Sequence, residues 1–411
     1  MKISATLFLA LTLSVSADDW QQYNGPDSSR TTAEKLTGSK LVPVWKTEAN
    51  TGFSSFTIAD GLAYTIVERE EDGLPQETCV ALDAKTGKEK WATPLMLWRV
   101  DNDGGNSGAR DNKGGDGPRS TPAYSDGHVY TMNAEIGLHC LDAKTGKIVW
   151  SADITKKYGG RNIKWENAAA PLIEGDNVYV YGGGKGESLL CFDKKSGKLI
   201  WKDHDHLMTH ATPIAATIND QRQIIFFTQS GLVFCDPASG KKIWVAEFPY
   251  KVSTAASPVV FEDIVYCAAG YGVGAAAFKI TKNGAEEIWR LEGNKPVTNH
   301  WSTPLAKDGY LYGMFSFKEY GDGPLKCVDI KTGKVQWEKG GFGPGNVTLS
   351  GDTLIALTDD GHVVLAEANP MAYKEISRTK AVGGKCWSTP VLANGHIYVR
   401  STTEAACLEV K

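Results

Sequence analysis

The side chains with which this chain could do chemistry sit in a few short stretches: Phe53, Arg119, Trp165-Glu166-Asn167, His210, Thr254, Asn299-His300-Trp301, Asn346 and Lys385-Cys386-Trp387. Aromatic faces stack on flat molecules, Arg and Lys donate charge-assisted hydrogen bonds to carboxylates, and imidazole titrates near neutral pH. Gathered in one funnel, such a set would hold a planar, charged ligand. The same residues would equally serve to plug a channel with water-bonded polar groups. Two weaker constellations offer metal-type donors. Asp101, Asp103, Asp111 and Asp116 stand on a glycine-rich loop with Asn102 and Asn106, but the Glu of a twelve-residue calcium loop is missing, so a solvated loop is expected there. His204, His206 and His210 have only Asp203 and Asp205 as nearby carboxylates and are expected to be surface histidines.

What positions the first set is a repeat. Residues 138–150 (LHCLDAKTGKIVW) return at 79–91, 189–201, 232–244 and 325–337, with a degraded copy ending at Trp289. Each copy is an alternating apolar run, an Asp-x-x-Thr/Ser-Gly-Lys turn and a second alternating run closing on Trp, which predicts a β-hairpin. Asp83, Asp142, Asp193, Asp236 and Asp329 can accept from the turn amides, and Gly87, Gly146, Gly197, Gly240 and Gly333 supply the positive φ a tight turn needs. Trp45, Trp91, Trp150, Trp201, Trp244, Trp289 and Trp337 recur at the end of each outer strand, a fixed place suited to packing between neighbours.

A second hairpin precedes each copy. Its start carries Pro122, Pro171, Pro213, Pro258, Pro304 or Pro390, with Phe56 and Thr348 in the equivalent place of two weaker copies, which makes eight units. Two hairpins per unit give a four-stranded antiparallel sheet, and eight such sheets bury their faces by stacking radially. The expected fold is therefore an all-β, eight-bladed propeller. The last unit has room for only three strands before Lys411, and residues 41–48 form a Trp-bearing strand with no sheet of its own. Joining the two closes the ring and removes an open edge. Pro43 fits a peripheral strand.

The chain has 411 residues, a net charge of −4 and no basic tract, which argues against a nucleic-acid partner. Lys2, an apolar run over 3–15 and Val15-Ser16-Ala17 predict a signal peptide at 1–17, too short in its core to span a membrane. The expectation is export to the periplasm or the medium. With no Cys at the cut site, no lipid anchor is expected. Residues 18–40 form an N-terminal extension and 41–411 one propeller domain. Of the eight cysteines, Cys140, Cys191, Cys327 and Cys407 share one repeat position and are expected to be small buried apolar residues.

The Asp-x-x-Thr-Gly-Lys-x-x-Trp repeat resembles the tryptophan-docking motif of the quinoprotein-like propellers, a superfamily that includes PQQ-dependent alcohol dehydrogenases and the assembly scaffold BamB. The start Trp20-Gln21-Gln22-Tyr23-Asn24-Gly25-Pro26 is similar to that of secreted bacterial PQQ-like repeat proteins. The resemblance to the enzymes implies PQQ and a Ca²⁺ held by Glu, Asn and Asp oxygens, an Arg near the quinone, a Trp beneath it and an Asp base. By motif, Glu166 and Asn167 would stand for two ligands, Arg119 for the cation, and Trp301 or Trp387 for the stacking ring. An Asp at a strand start and the adjacent cysteines of the enzymes are both missing here.

The turns within each hairpin are short, whereas residues 68–78, 93–119, 181–188 and 316–326 lengthen connections on the opposite face, where the stretches leading into the innermost strands converge. That long-loop face is expected to be the working face. The axial funnel of Arg119, Trp165, Glu166, Asn167, His210, Asn299, His300, Trp301, Asn346, Lys385 and Trp387 is its expected ligand site. The expected function is a secreted, monomeric, non-catalytic binding or scaffold propeller needing no cofactor. Its partner would be a protein, a small molecule or a carbohydrate, the last engaging rim aromatics such as Trp98 and Tyr271. The alternatives are a PQQ- and Ca-dependent alcohol or sugar dehydrogenase and a polysaccharide-recognition module.

Overall fold

The computed structural model describes residues 19–97, 117–294, 296–315 and 317–411. The signal segment, Trp98, Asp101, Asp103 and the remainder of that glycine-rich loop lie outside the described residues. Eight antiparallel sheets of four strands form a propeller ring, each sheet ordered from its innermost strand outward. The innermost strands are Thr57–Ala59, Ala123–Ser125, Leu172–Glu174, Ile214–Ile218, Val259–Phe261, Leu305–Lys307, Asn346–Ser350 and Val391–Ala393. We number the blades one to eight in that order. One short helix, Ile154–Lys157, follows blade two, capped where Asp153 accepts from the Lys156 amide at 2.9 Å.

Leu41–Glu48 pairs antiparallel with Glu404–Val410 and supplies the outer strand of blade eight, with a bulge between Pro43 and Trp45. The buried Arg400 reinforces this closure from the other side. Its guanidinium reaches blade one through the Thr65 hydroxyl at 2.9 Å and the carbonyls of Ile66, Asn50 and Gly52 at 3.2, 2.7 and 3.3 Å.

Blades are joined by a recurring contact. The Trp91 indole N–H donates to the Ala143 carbonyl at 2.9 Å, Trp150 to Lys194 at 3.0 Å, Trp201 to Pro237 at 2.9 Å and Trp289 to Ile330 at 2.8 Å. In each case the acceptor is the residue after the repeat Asp of the next blade. The turn Gly lies under the indole, and a Cβ at Gly146 would fall 2.6 Å from Trp91. The Asp holds the turn, as where Asp142 accepts from the Thr145 amide at 2.8 Å and hydroxyl at 2.7 Å. At the degraded copy the contact is looser, a Cβ at Gly284 standing 3.9 Å from Trp244.

In six blades, all but four and seven, strands two, three and four place Tyr, a small residue and Trp in register. Tyr179 pairs with Cys191 and Cys191 with Trp201, and the same alignment holds for Tyr130, Cys140 and Trp150. A larger residue between the rings would part them, and the place is Cys or Ala in all six; blade four, with Phe234 there, has Ile225 instead of the Tyr. All eight cysteines are buried and unpaired.

Two details depart from expectation. Residues 68–78 are no loop but the tip of a long hairpin, Leu62–Glu71 and Leu74–Asp83, turning at Asp72-Gly73. The weak seventh copy aligns one residue earlier than expected, so Val347 takes the proline position: the Thr348 hydroxyl donates to the Pro390 carbonyl as that of Thr57, after Phe56, does to Pro122. Blade seven lacks the proline that would have marked its frame.

Candidate functional site

The bore of the ring is closed at its tight-turn end by residues 19–40. Trp20 pairs with Ile58 of blade one, and the Gln21 carbonyl accepts from the Tyr124 amide at 2.7 Å. Gln22 accepts from the Ile173 amide at 3.1 Å, Ser28 from Ala215 at 3.3 Å, and Asn24 donates to the Ser257 hydroxyl at 3.0 Å. Thr31–Thr32 then adds a parallel strand beside Asn346–Ser350. This segment can reach six blades in turn because the axial edges of the innermost strands have no neighbouring strand to take up their backbone groups. At the centre lies Arg30, fully buried, donating to the Val347 carbonyl, the Asn24 and Asn346 amide oxygens and the Thr389 hydroxyl at 2.9 to 3.2 Å. Burial pushes its pKa below the usual guanidinium value.

Above this floor, on the long-loop face, rings fill the funnel. Trp387 stacks on Trp301 with centroids 4.5 Å apart and on Phe53 at 4.9 Å, within 16° of parallel, and Tyr320 adds a fourth near-parallel ring 5.8 Å from Trp387. Across the mouth, His300 meets Trp301, Tyr271 and Phe317 at 5.0 to 5.3 Å, and Tyr271 stacks on Trp165 at 6.0 Å. Lysines lie on these rings: Lys164 on Trp165, Lys318 on Tyr271 and Phe317, Lys385 on Trp387, each 5.0 to 5.3 Å from a centroid. Such placements are favourable by about 0.5–1 kcal/mol at exposed sites.

The backbone around the mouth is strained. Trp165, Glu166, Tyr271 and Lys318 all take left-handed φ between 58° and 68° without being glycine. Strain of this kind is kept where surrounding structure over-determines a functional conformation. His210 and His300 are both pushed down to about 3, first by burial; the His210 Nδ1 pairs with the Ser253 hydroxyl at 2.5 Å. Both imidazoles are therefore neutral at physiological pH.

The axial asparagines face inward to the frame. The Asn167 oxygen accepts from the Ala169 amide at 3.0 Å while its N–H groups donate to the Asn133 and Ala169 carbonyls. Asn299 accepts from Tyr266 at 2.6 Å and donates to Met314 at 2.8 Å. Asn346 receives Arg30 and donates to the Trp387 carbonyl at 2.9 Å. These three hold the walls, whereas Trp165, Glu166, Trp301, Lys385 and Trp387 remain partly open at the mouth. Arg119 donates to the Trp165 carbonyl at 3.0 Å and so fixes that turn.

Sequence reasoning missed Glu77. It is 1% exposed, accepts from the Ala134 amide at 3.0 Å, and is raised to about 8, mainly by burial, with Glu166 and Glu135 adding to the shift and Arg119 opposing it. The signal was an acidic residue two places before a run of buried apolar positions, Cys79 to Ala81. Also missed were Asp359 and Asp360, which look like ordinary turn residues in the sequence.

A quinone and its calcium do not fit this arrangement. The oxygen of Asn167 is committed to a backbone amide, and the ring that would stack beneath a quinone already carries Phe53 and Trp301. Among the described residues no three His, Cys, Asp or Glu side chains are grouped to hold a metal ion. His204, from the weaker histidine set, bonds the Gly240 carbonyl of the next blade at 2.9 Å.

Fold and docking contacts define a quinoprotein-like propeller. The family model described as outer membrane protein assembly factor BamB matches residues 95–339, and the chain belongs to that family. It is 23% identical over 254 residues to tetrathionate hydrolase of Acidithiobacillus ferrooxidans, covering 62% of this chain and 43% of that protein. It is 25% identical over 267 residues to 1-butanol dehydrogenase (quinone) of Thauera butanivorans, covering 60% and 40%. The chain thus spans about two-fifths of the length of these curated relatives. The crystal structure of BamB from Moraxella catarrhalis superposes with a TM-score of 0.62 at 17% identity, covering 90% of this chain and 98% of that one, and so shares the fold.

Proposed function

We propose that this protein is an exported, non-catalytic binding or scaffold propeller that engages a protein partner through its long-loop face. The observation that carries this reading is the filled axis: residues 19–40 close one end and the Phe53, Trp387 and Trp301 stack occupies the other. A bore sealed this way leaves the strained, lysine- and aromatic-rich rim as the surface able to bind. Tyr271 and Tyr320 are each 36% exposed there, with large flat faces of the kind that anchor protein interfaces. Among the described residues no helix is long and apolar enough to cross a membrane.

Two measurements test the proposal. Titration of PQQ with Ca²⁺ into purified protein, followed calorimetrically and by dye reduction with alcohols and sugars, should give neither binding nor turnover; both together would establish the dehydrogenase instead. A photo-crosslinking residue placed at Lys318 should capture one discrete protein in the native cell, and the same residue at Lys85 on the tight-turn face should not.

A further inference from the structure

Beside the axial stack, between blades six, seven and eight, lies an open pocket of about 440 Å³ that the filled bore does not account for. Its walls are Tyr320, Trp387, Lys385, Asp359 and Asp360 with the backbone of Gly321 and Gly384. The size is that of a small-ligand site rather than a water cleft.

The pocket is built. Tyr320, 36% exposed, offers an aromatic face, and Trp387, partly exposed with its ring already stacked by Phe53 and Trp301, lies beside it 16° from parallel. Asp359 is held opposite: its Oδ2 accepts from the Gly321 amide at 2.7 Å, its own amide donates to the Phe342 carbonyl at 3.0 Å, and its carbonyl accepts from Cys386 at 3.0 Å. Room for its carboxylate is made by Gly343, where a Cβ would fall 2.1 Å from Asp359 Cγ. Asp360 has Lys380 Nζ 3.9 Å from its carboxylate, and Lys385 lies over Trp387.

Three facts narrow the ligand. The exposed ring of Tyr320 favours a molecule with a flat apolar face. A carboxylate with one oxygen bound to an amide favours a hydroxyl or N–H donor on the other. The lining has two carboxylates and one ammonium, and the Lys380 ammonium beside Asp360 makes the charges equal, so it lacks the charge surplus that would select an ion. We infer that this pocket binds a neutral sugar, a pyranose face lying on Tyr320 beside Trp387 while its hydroxyls donate to Asp359 and accept from Lys385. Asp359 is raised above the usual carboxylate range, chiefly by burial, which fits a group poised to hydrogen-bond rather than to form an ion pair. The site adjoins the Lys318 rim and shares Tyr320 with it, but sugar binding here does not depend on the protein partner proposed above.

The test uses the full exported chain, with calorimetry and tryptophan fluorescence during titration of cellohexaose, maltohexaose and chitohexaose. Choline and hexagalacturonate serve as the cationic and anionic comparators. At least one neutral hexasaccharide should bind and perturb indole emission. Tyr320→Ala and Asp359→Asn should each weaken it by about tenfold or more, with unchanged melting temperature. Absence of binding by all three sugars, saturation by choline or hexagalacturonate alone, or sugar binding indifferent to both substitutions would each overturn the inference. None of these results bears on crosslinking at Lys318, so the two proposals fail separately.

Discussion

The indole of Trp201 lies flat on Gly240 of the following blade and donates to the Pro237 carbonyl at 2.9 Å, while Asp236 of the same turn accepts from the Ser239 amide and hydroxyl at 2.8 and 2.6 Å. One hydrogen bond and one missing side chain thus set the spacing between blades four and three, and the ring repeats that solution.

Gly240→Ala is expected to destabilise the fold by about 2–4 kcal/mol. Its φ is +70°, and the added Cβ would fall 2.5 Å from Trp201. Trp201→Phe keeps most of the apolar contact but loses the indole bond, and should cost about 1–2 kcal/mol. Chemical denaturation followed by fluorescence would rank the two; equal costs would mean that the glycine has no steric role.

Closure rests on Arg400 as well as on strand pairing. Arg400→Met leaves the carbonyls of Asn50, Gly52 and Ile66 without that donor, so a loss of about 3 kcal/mol or more is expected. Hydrogen exchange should then rise first in Leu41–Glu48 and Glu404–Val410, the two strands that seal the ring.

Arg30→Met should loosen the plug without opening the blades. The variant keeps the apolar stem, loses every donor at the centre of the bore, and leaves Asn346 and Thr389 short of a partner. Limited proteolysis is expected to cut within residues 19–40 at least tenfold faster, a change of about 1.4 kcal/mol in local opening, while the melting transition stays cooperative.

Stability should be lost toward both acid and alkali, for different groups. Glu77 has a folded pKa of about 8, above its unfolded value, so the folded state favours the protonated acid; its contribution is complete at low pH and fades as pH rises from about 4.5 to 8. His210 and His300 have folded values near 3, below the unfolded one, so their neutral forms contribute above about 6.5, and this is lost as pH falls toward 3. Thermal melts across pH 4–9 should show Glu77→Gln flattening the alkaline limb and His300→Gln the acid limb. A glutamine variant that leaves its limb unchanged would show that the residue is not what titrates there.

The sequence alone determined the blade. Asp142, Gly146 and Trp150 act within a hairpin or on the next hairpin along, so their spacing carries the instruction, and eight repetitions leave only a ring in which to bury the faces. The closing strand was legible for the same reason, as an orphan Trp strand matched to a blade one strand short. Chain direction tells which residues lead into the innermost strands, Trp165, Trp301, Lys385 and Trp387 among them. Only the tertiary structure decided how those residues are used. Whether Asn167, Asn299 and Asn346 face a ligand or the frame depends on partners brought from other blades, the Asn133 carbonyl, the Tyr266 hydroxyl and the Trp387 carbonyl, and no local pattern records those. The same holds for Arg30, whose acceptors Asn346 and Thr389 are more than 300 residues away, and for the pocket that joins Tyr320, Asp359 and Trp387. Period and turn chemistry are short-range properties of the chain, whereas a site at the axis is made by closure of the whole ring.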